Sequence, residues 1–520
     1  MQTRTTRKIL AVAATTATLC WLSPAPTIAE PTTIGELVET VRSYRLGHET
    51  AILEELSRLL EIPNVAADTK NIRRNAEHLV GMLERRGIEA RILEVEGGSP
   101  AVFGHLRVPG AERTVVLYAH YDGQPVEPDA WASPPWTPTL RDKPLADGGR
   151  EVPATGPLDG EWRLYARSAS DDKGPIVAML AAVDALAAAG VAPSVDVKFF
   201  FEGEEEAGSP HLAELLRRNQ ELLTADLWLF CDGPVHQSRR PQVVFGVRGV
   251  VSLEITFYGA VRTLHSGHYG NWAPNPIAGL VELLGGLRNA DGQILVPGFY
   301  QDLQTVSRFE RAALRSLPEI EPRLIAELGL AYTEGTETRL AQRIMLPALN
   351  FRGIRSGAVG AEAKNAIPTE ATASIDFRLV PNQTPERVRT LVEAHLKNQR
   401  YHLVEDAPDI DTRRRHARIV RLEWGHGYPA ARTPLELPLS QSVLRISSEA
   451  TGGKMLAVPT FGGSLPLYLF EEILETPLIV VPIVNHDNNQ HAPDENLRLQ
   501  NLWDGIEIYA SLLAWLGRAE

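Results

Sequence analysis

Residues 114–120 read Thr-Val-Val-Leu-Tyr-Ala-His. The run is apolar almost throughout and ends in an imidazole, which is typical of a strand buried on both faces of a parallel sheet. Helical patterns flank it at 71–86 and 175–189. Strands that alternate with helices predict an α/β fold with a mixed, mostly parallel sheet and helices on both faces.

Two further apolar strands end in the same way. The strand predicted at 195–201 precedes the Glu204-Glu205-Glu206 run, and the strand predicted at 227–230 precedes Asp232. The carboxyl ends of parallel strands meet at one edge of a sheet, which is where such folds bind ligands. We therefore expect these carboxylates to share a site with His120.

From about Gly249 the pattern changes to strand–helix–strand–strand–helix–strand, which is a ferredoxin-like α+β order. Its clearest elements are strands at 250–258, 371–379 and 416–424 and helices at 276–288 and 385–399. This order predicts an inserted lid or dimerisation domain at 249–428. The catalytic domain is then predicted to comprise residues 30–248 and 429–520.

Composition limits the function classes. The chain has 520 residues, 44% of them hydrophobic and 22% charged, as in a soluble globular protein of more than one domain. Its net charge of −13 argues against a nucleic-acid partner, because phosphate binding requires a basic face.

The amino terminus predicts export. Cationic residues precede an apolar run at 9–22, and small residues follow it up to Ala29. This is the order of a secretory signal at residues 1–29, with cleavage after Ala29, and it predicts a periplasmic or secreted protein. The apolar run is shorter than the roughly 20 residues of a membrane span, so no stable membrane insertion is expected after cleavage; an uncleaved anchor is the alternative. Cys231 would then be the only cysteine, which fits a bacterial periplasm without an intrachain disulfide.

Five segments supply the groups that bind divalent metals. They contain His120 with Asp122, Asp171 with Asp172, the three glutamates at 204–206, Asp232, and His491. Two imidazoles and a set of carboxylates suit two cations bridged by a shared carboxylate, with a general base beside them. Each segment also has an ordinary interpretation, such as an acidic helix cap at Asp171 or a solvated acidic turn at 204–206. The residues alone leave open which glutamate is the ligand and whether His486 replaces His491.

In combination these segments resemble the M20 family of metallopeptidases, especially its carnosinase-like and glutamate-carboxypeptidase-like dipeptidases. The resemblance rests on His120-Tyr121-Asp122, Asp171-Asp172-Lys173-Gly174, Glu205-Glu206-Ala207-Gly208-Ser209, Asp232 and His491-Ala492-Pro493-Asp494-Glu495. Ala166 and Ser168 depart from two glycines of the family pattern. The resemblance implies that one metal is bound by His120, Asp171 and Asp232 and the other by Asp171, Glu206 and His491. It implies Glu205 as the general base and Asp122 as the residue that orients His120.

The resemblance extends into the predicted lid. The segment Leu264-His265-Ser266-Gly267 is similar to a family motif whose imidazole reaches the site of a neighbouring subunit, which implies a homodimer through the lid. Asn350, Arg378 and the Gly462-Gly463-Ser464 segment match substrate-binding positions of the dipeptidase branch. Arg378 would hold the carboxylate of a small peptide substrate.

The sequence thus predicts an exported, dinuclear metallopeptidase that hydrolyses dipeptides or the C-terminal residues of short peptides. Zinc is the expected metal, with manganese or cobalt as alternatives. The alternative activity is that of an N-acyl amino acid deacylase or desuccinylase with the same metal centre. A mononuclear enzyme is a further alternative. A solute-binding protein of the same fold would lack a ligand or the base, whereas all five ligands and Glu205 are present.

Overall fold

The computed structural model describes residues 31–335 and 339–518. The predicted signal at 1–29, with its cleavage after Ala29, lies outside the described residues. Within the described ranges, none of the helices combines the length and hydropathy that a bilayer crossing requires.

A central sheet of eight strands carries the chain's main core. In spatial order its strands are Glu89–Leu93, Ala101–Leu106, Asp196–Glu202, Thr114–His120, Leu227–Phe230, Leu478–Val480, Gln242–Val244 and Leu456–Val458. The third to sixth strands of this order are mutually parallel, and the two edge strands before them pair antiparallel. The predicted mixed, mostly parallel sheet is confirmed.

The strand Thr114–His120 is buried on both faces, as its composition predicts. Val115 and Leu117 belong to the apolar cluster on one side of the sheet, whereas Val116 and Tyr118 belong to the cluster on the other side. This alternation follows from the two-residue period of a strand, because successive side chains point to opposite faces. Helices must therefore cover both faces of the sheet.

The helices divide between these two faces. One face is covered by Ile34–Leu60, Thr69–Glu84, Lys173–Ala189, Pro438–Ala450 and Leu499–Trp515. The other is covered by Leu212–Arg218, Gln220–Leu223 and Tyr468–Leu474. The first two of these helices are separated at Asn219, whose side-chain amide donates to the carbonyl of Leu215 at 2.8 Å. Asparagine competes in this way with the helical backbone for hydrogen bonds.

A second sheet forms the predicted ferredoxin-like unit. Its strands, in spatial order, are Ala348–Arg355, Glu370–Leu379, Gly249–Tyr258, Ile419–Tyr428 and His402–Val404. The helices Pro276–Leu287 and Pro385–Asn398 pack on it around a separate apolar cluster. The strand predicted at 416–424 runs instead from Ile419 to Tyr428, because it pairs with Gly249–Tyr258 from Phe257 back to Val250, around a bulge between Val251 and Leu253. The extension carries two more side chains, His426 and Tyr428, toward the central sheet.

Smaller elements complete the chain. A three-stranded sheet joins Thr139–Arg141, Arg163–Tyr165 and Asn496–Arg498. The remaining strands are Gly246–Val247, Leu264–His265, Ala366–Ile367 and Ala431–Arg432, and the remaining α-helices are Ser266–Tyr269, Arg308–Ser316, Glu321–Glu327, Leu340–Ile344 and Ile410–Arg415.

Helix Arg308–Ser316 packs against the central-sheet strand Leu456–Val458, and its Glu310 pairs with Arg432 at 3.1 Å. The domain boundaries at 249 and 428 stay predictions.

Candidate metal centre

Three neighbouring parallel strands deliver their terminal residues to one edge of the central sheet. His120 is the last residue of its strand and pairs in register with Glu202, the last residue of the adjacent strand. Glu205–Ala207 then forms a single 3-10 turn, and Asp232 lies two residues beyond Phe230, the end of the third strand. Gly208 follows the turn with a φ of 86°, a conformation that favours glycine.

Two triads of ligand groups meet at this edge. The first contains His120, Asp171 and Asp232, and the second contains Asp171, Glu206 and His491. Within each triad one candidate ligand atom from each residue lies within 4.8 Å of the others. Asp171 belongs to both.

The shared carboxylate uses a different oxygen for each triad. Asp171 Oδ1 lies 2.8 Å from His120 Nε2, and Asp171 Oδ2 lies 3.1 Å from His491 Nε2. The remaining members are close by, since Asp232 Oδ2 lies 4.0 Å from His120 Nε2 and Glu206 Oε2 lies 3.3 Å from His491 Nε2. A carboxylate with one oxygen turned toward each imidazole is the geometry expected of a bridge between two cations.

The electrostatics of the cluster favour a bound cation. Burial raises the pKa of the Glu206 carboxyl to about 7 and that of the Asp232 carboxyl to about 6. Burial acts on Asp171 in the same direction, but hydrogen bonds with His120 and His491 outweigh it and lower the pKa of Asp171. In addition, Asp172 Oδ1 is buried without a hydrogen-bond partner in the described part of the chain. Buried carboxylates packed this closely are costly unless positive charge neutralises them, so the residues fit two divalent metal ions.

Asp122 organises the site more extensively than its predicted role requires. Its Oδ1 accepts a hydrogen bond from the backbone N–H of Glu205, and its Oδ2 accepts one from that of Glu206, both at 3.0 Å. Asp122 Oδ1 also lies 3.4 Å from His120 Nδ1. One buried carboxylate therefore positions residues from both triads and the predicted base.

We expect Asp122→Asn to lower metal affinity about 10- to 100-fold, the usual effect of removing an outer partner of a metal ligand. The amide oxygen can replace only one of the two acceptors, and its NH₂ group then faces a backbone N–H. Isothermal titration of metal into the apo protein measures the effect. An unchanged affinity would show that Asp122 does not support the ligands.

Glu495 holds the loop that carries Asp171. It is fully buried and accepts hydrogen bonds from the backbone N–H groups of Ser168, Ser170 and Asp171 and from the side chains of Arg167 and Ser170. The peptide bond between Asp171 and Asp172 is cis. The sequence placed Glu495 beside His491 but gave no indication of this role, because its partners lie more than 300 residues away in the chain.

The structure separates the alternatives that the residues left open. Glu204 accepts hydrogen bonds from the backbone N–H groups of Ser99 and His211, and it belongs to neither triad. Glu206 is the glutamate of the 204–206 run within a triad. His491 lies in the second triad, whereas His486 lies in neither.

Beside the metal centre lies a cavity of about 670 Å³. Asp171, Glu205, Glu206, Asp232 and His491 line it together with Gly463 and Ser464. Two residues that sequence analysis missed, His426 and Tyr428, line it as well, because the last lid strand is longer than predicted. Gln490 and Gln124, also unpredicted, donate to Asp171 Oδ2 at 3.0 Å and to Glu206 Oε2 at 2.7 Å.

The predicted substrate-binding residues differ in their position relative to this cavity. Arg378 is not among the residues that line this cavity, but its Nη1 donates to the Oγ of Ser464, which does line it, at 2.9 Å. Among the residues that the structure describes, Asn350 and Gly462 do not line it; Asn350 lines a separate cavity. His265 is exposed and lies beside His268, with ring centroids 4.5 Å apart and planes inclined by 46°. Nothing in the described part of this chain brings His265 to the chain's own metal centre.

The sequence and the fold are similar to those of known proteins. A profile described as Peptidase family M20/M25/M40 matches residues 116–515. The Cys-Gly metallodipeptidase dug1 of Schizosaccharomyces pombe is 26% identical over 479 residues, covering 88% of this chain and 93% of that protein. The Beta-Ala-His dipeptidase of Homo sapiens is 26% identical over 503 residues, covering 92% and 89%. A solved M20 family metallo-carboxypeptidase, Sso-CP2 from Sulfolobus solfataricus, superposes with a TM-score of 0.72 at 26% identity, covering 90% of this chain and 99% of that one.

Proposed function

The chain belongs to peptidase family M20/M25/M40 and is a metal-dependent peptide hydrolase. We propose that it hydrolyses dipeptides or the C-terminal residues of short peptides. The proposal includes two zinc ions and Glu205 as general base. It is carried by one observation: Asp171 is shared by two ligand triads, and Glu205 faces the same cavity.

In the proposed centre, His120, Asp171 and Asp232 would hold one zinc ion, and Asp171, Glu206 and His491 would hold the other. Nitrogen and carboxylate oxygen donors suit zinc, with manganese and cobalt as alternatives. Such ions would supply Lewis acidity, which lowers the pKa of a bound water molecule and polarises a substrate carbonyl.

Glu205 has the position that a general base requires. It belongs to neither triad, lines the cavity, and has its backbone N–H fixed by Asp122. Burial raises the pKa of its carboxyl well above the ordinary value. Glu205 accepts a proton from the attacking water and later donates it to the leaving amine.

Arg378 and Ser464 are proposed to receive the free carboxylate of the substrate. The guanidinium of Arg378 donates a hydrogen bond from Nη1 to Ser464, and Ser464 lines the cavity. The Nε of the same guanidinium donates to Asp376 Oδ2 at 2.9 Å. A guanidinium fixed in this way presents its donors to a planar carboxylate. This arrangement favours peptides with an unblocked C-terminus.

A substrate panel tests the proposed activity. Zinc- and manganese-loaded protein is assayed side by side with unblocked dipeptides and with N-acyl amino acids, and bound metal is quantified in each preparation. We expect the unblocked dipeptides to be hydrolysed faster by kcat/KM. Faster hydrolysis of acetylated or succinylated amino acids would instead establish a deacylase, and one metal ion per active chain would establish a mononuclear centre.

We further propose a homodimer in which His265 completes the site of the partner subunit. His265 is exposed on the lid and neither lines the cavity beside the metal centre nor belongs to a ligand triad, and an imidazole in a neighbouring site can stabilise a tetrahedral oxyanion. The lid carries other exposed apolar groups, including Trp272 at 80% and Val261 at 59% exposure.

Mixing two inactive variants, Glu205→Gln and His265→Ala, should restore activity if the site is shared. Each heterodimer then contains one site with both residues intact, so random exchange should recover about a quarter of wild-type kcat. Unmixed variants carried through the same exchange are the control. Absence of recovery after subunit exchange has been demonstrated by mass spectrometry would contradict the shared site.

Export is proposed from the amino-terminal pattern. Expression of the full-length chain in a Gram-negative bacterium should yield a periplasmic protein whose first residue is Glu30, as read by amino-terminal sequencing. A protein that keeps residues 1–29 in the membrane fraction would support the anchor instead.

A further inference from the structure

The cavity beside the metal centre has two chemically different sides. All four carboxylates that line it, those of Asp171, Glu205, Glu206 and Asp232, belong to the metal centre or the proposed base. A second part of the lining, here called the apolar side, comprises the side chains of Tyr428, Phe461, Leu465, Tyr468 and Leu469. Among the described lining residues, this second side contributes no carboxylate, lysine or arginine.

Two tyrosines from different parts of the fold form the centre of the apolar side. Tyr428 is the last residue of a lid strand, and Tyr468 is the first residue of a helix on the central sheet. Their rings are stacked, with centroids 5.6 Å apart and planes inclined by 7°. Both side chains are half-buried, so their ring surfaces remain available to a ligand in the cavity.

Phe461, another residue of the apolar side, lies next to the metal centre. Its ring edge lies 3.3 Å from the point where a Cβ would stand on Gly233, the residue after Asp232. A larger residue at 233 would push the ring aside. The apolar side therefore reaches the residue that follows the candidate metal ligand Asp232.

The position of Tyr428 relates this surface to the substrate. Tyr428 and Arg378 lie on the two strands that flank Gly249–Tyr258, and both are paired in register with Val250. Residues paired in this way point to the same face of a sheet, so the two side chains project on one face. Tyr428 and the proposed base Glu205 also line the same cavity. In a dipeptide whose scissile carbonyl is at Glu205 and whose carboxylate is at Arg378, the group between these two points is the C-terminal residue.

We propose that Tyr428, Phe461 and Tyr468 bind the side chain of the C-terminal residue, and that the enzyme selects dipeptides ending in an aromatic or large aliphatic residue. This inference rests on the proposed peptidase function. Flat aromatic walls bind apolar side chains through burial and ring contacts, and they offer no charged partner to an acidic or basic one. Small C-terminal residues such as glycine would leave these three aromatic side chains in contact with water.

The test compares kcat/KM for Ala-Phe, Ala-Leu, Ala-Gly, Ala-Asp and Phe-Ala with the metal-loaded wild-type dimer or monomer as purified. We expect Ala-Phe and Ala-Leu to exceed Ala-Gly and Ala-Asp by about 10- to 100-fold, the range that a hydrophobic pocket provides. Phe-Ala should fall at least about tenfold below Ala-Phe, because its ring is on the wrong residue.

Variants then locate the preference. Tyr468→Ala should reduce the Ala-Phe to Ala-Gly ratio at least about fivefold, whereas Tyr468→Phe, which keeps the ring, should retain it. Tyr332→Ala is the matched control, because Tyr332 is 78% exposed and lies outside this cavity. Metal content and circular dichroism of each variant exclude misfolding as the cause.

The possible failures are distinguishable. If no unblocked dipeptide is hydrolysed by protein that contains its metal, the proposed function is wrong and the inference falls with it. If dipeptides are hydrolysed but Ala-Gly equals Ala-Phe, or Phe-Ala exceeds Ala-Phe, only the assignment of the aromatic wall is overturned. An unchanged Ala-Phe to Ala-Gly ratio in Tyr468→Ala would likewise overturn only the assignment of the aromatic side chains to the C-terminal residue.

Discussion

Glu205→Gln is expected to lower kcat by about 10²- to 10⁴-fold, the range that general acid–base catalysis contributes. Glutamine keeps the size of the side chain and the backbone hydrogen bond to Asp122, but it cannot accept a proton from water. Because Glu205 belongs to neither ligand triad, the variant should still bind two metal ions per chain. Steady-state kinetics on a dipeptide and metal analysis of the same sample measure the two effects.

Glu204→Gln is the matched control for this change. Glu204 is the preceding residue, yet its carboxylate accepts hydrogen bonds from Ser99 and His211 and, in the described structure, does not line the cavity. The control is expected to lose stability by about 1–3 kcal/mol while kcat stays within a few-fold of wild type. A Glu205→Gln enzyme with near-wild-type turnover, or a Glu204→Gln enzyme with an equal loss, would remove Glu205 from its proposed role.

Asp171→Asn should reduce the bound metal from two ions per chain to one or none and lower kcat by more than about a hundredfold, which exceeds the usual effect of losing an outer partner. The two oxygens of Asp171 face different imidazoles, those of His120 and His491. An amide offers one oxygen and one NH₂ group, so it cannot serve both triads. Inductively coupled plasma mass spectrometry of the purified protein gives the stoichiometry.

Two further variants make this prediction specific. Asp172→Asn changes the neighbouring buried carboxyl, which belongs to neither triad, and it should retain both ions. Glu206→Gln changes a ligand of one triad only and should retain the ion held by His120, Asp171 and Asp232. Two ions bound by Asp171→Asn with unchanged affinity would show that Asp171 is not the bridge.

Much of the fold could be predicted from local patterns. The strand Thr114–His120 was identified from its continuous apolar run, and its burial on both faces is confirmed. The ferredoxin-like order was also predicted from the sequence, because apolar residues there recur at helical spacing in the helices and at strand spacing in the strands. Boundaries were less accurate where tertiary pairing decided them. The last lid strand reaches Tyr428 because its neighbour Gly249–Tyr258 provides hydrogen-bond partners that far.

The types of residue in the candidate site could be predicted from the sequence, but the contacts among those residues could not. The apolar strands indicated that His120, the glutamates and Asp232 would meet at one edge of the sheet, since parallel strands end together. The choice of Glu206 within its run, and of His491 over His486, came from family resemblance; no local pattern distinguished them. In the structure, Glu206 and His491 belong to the second triad of candidate ligand atoms, whereas Glu204 and His486 belong to neither triad.

Local patterns of residues suffice to predict which strands are buried and which chemical groups stand at their ends, because those features depend on neighbours within a few residues. How the strand ends are joined to one another depends on the tertiary fold. Asp122 binds the backbone of Glu205 and Glu206, and Glu495 binds the loop of Asp171 across 324 residues of chain. Such contacts have no sequence period, since they arise when separate segments pack together and each buried carboxylate takes the nearest available donors.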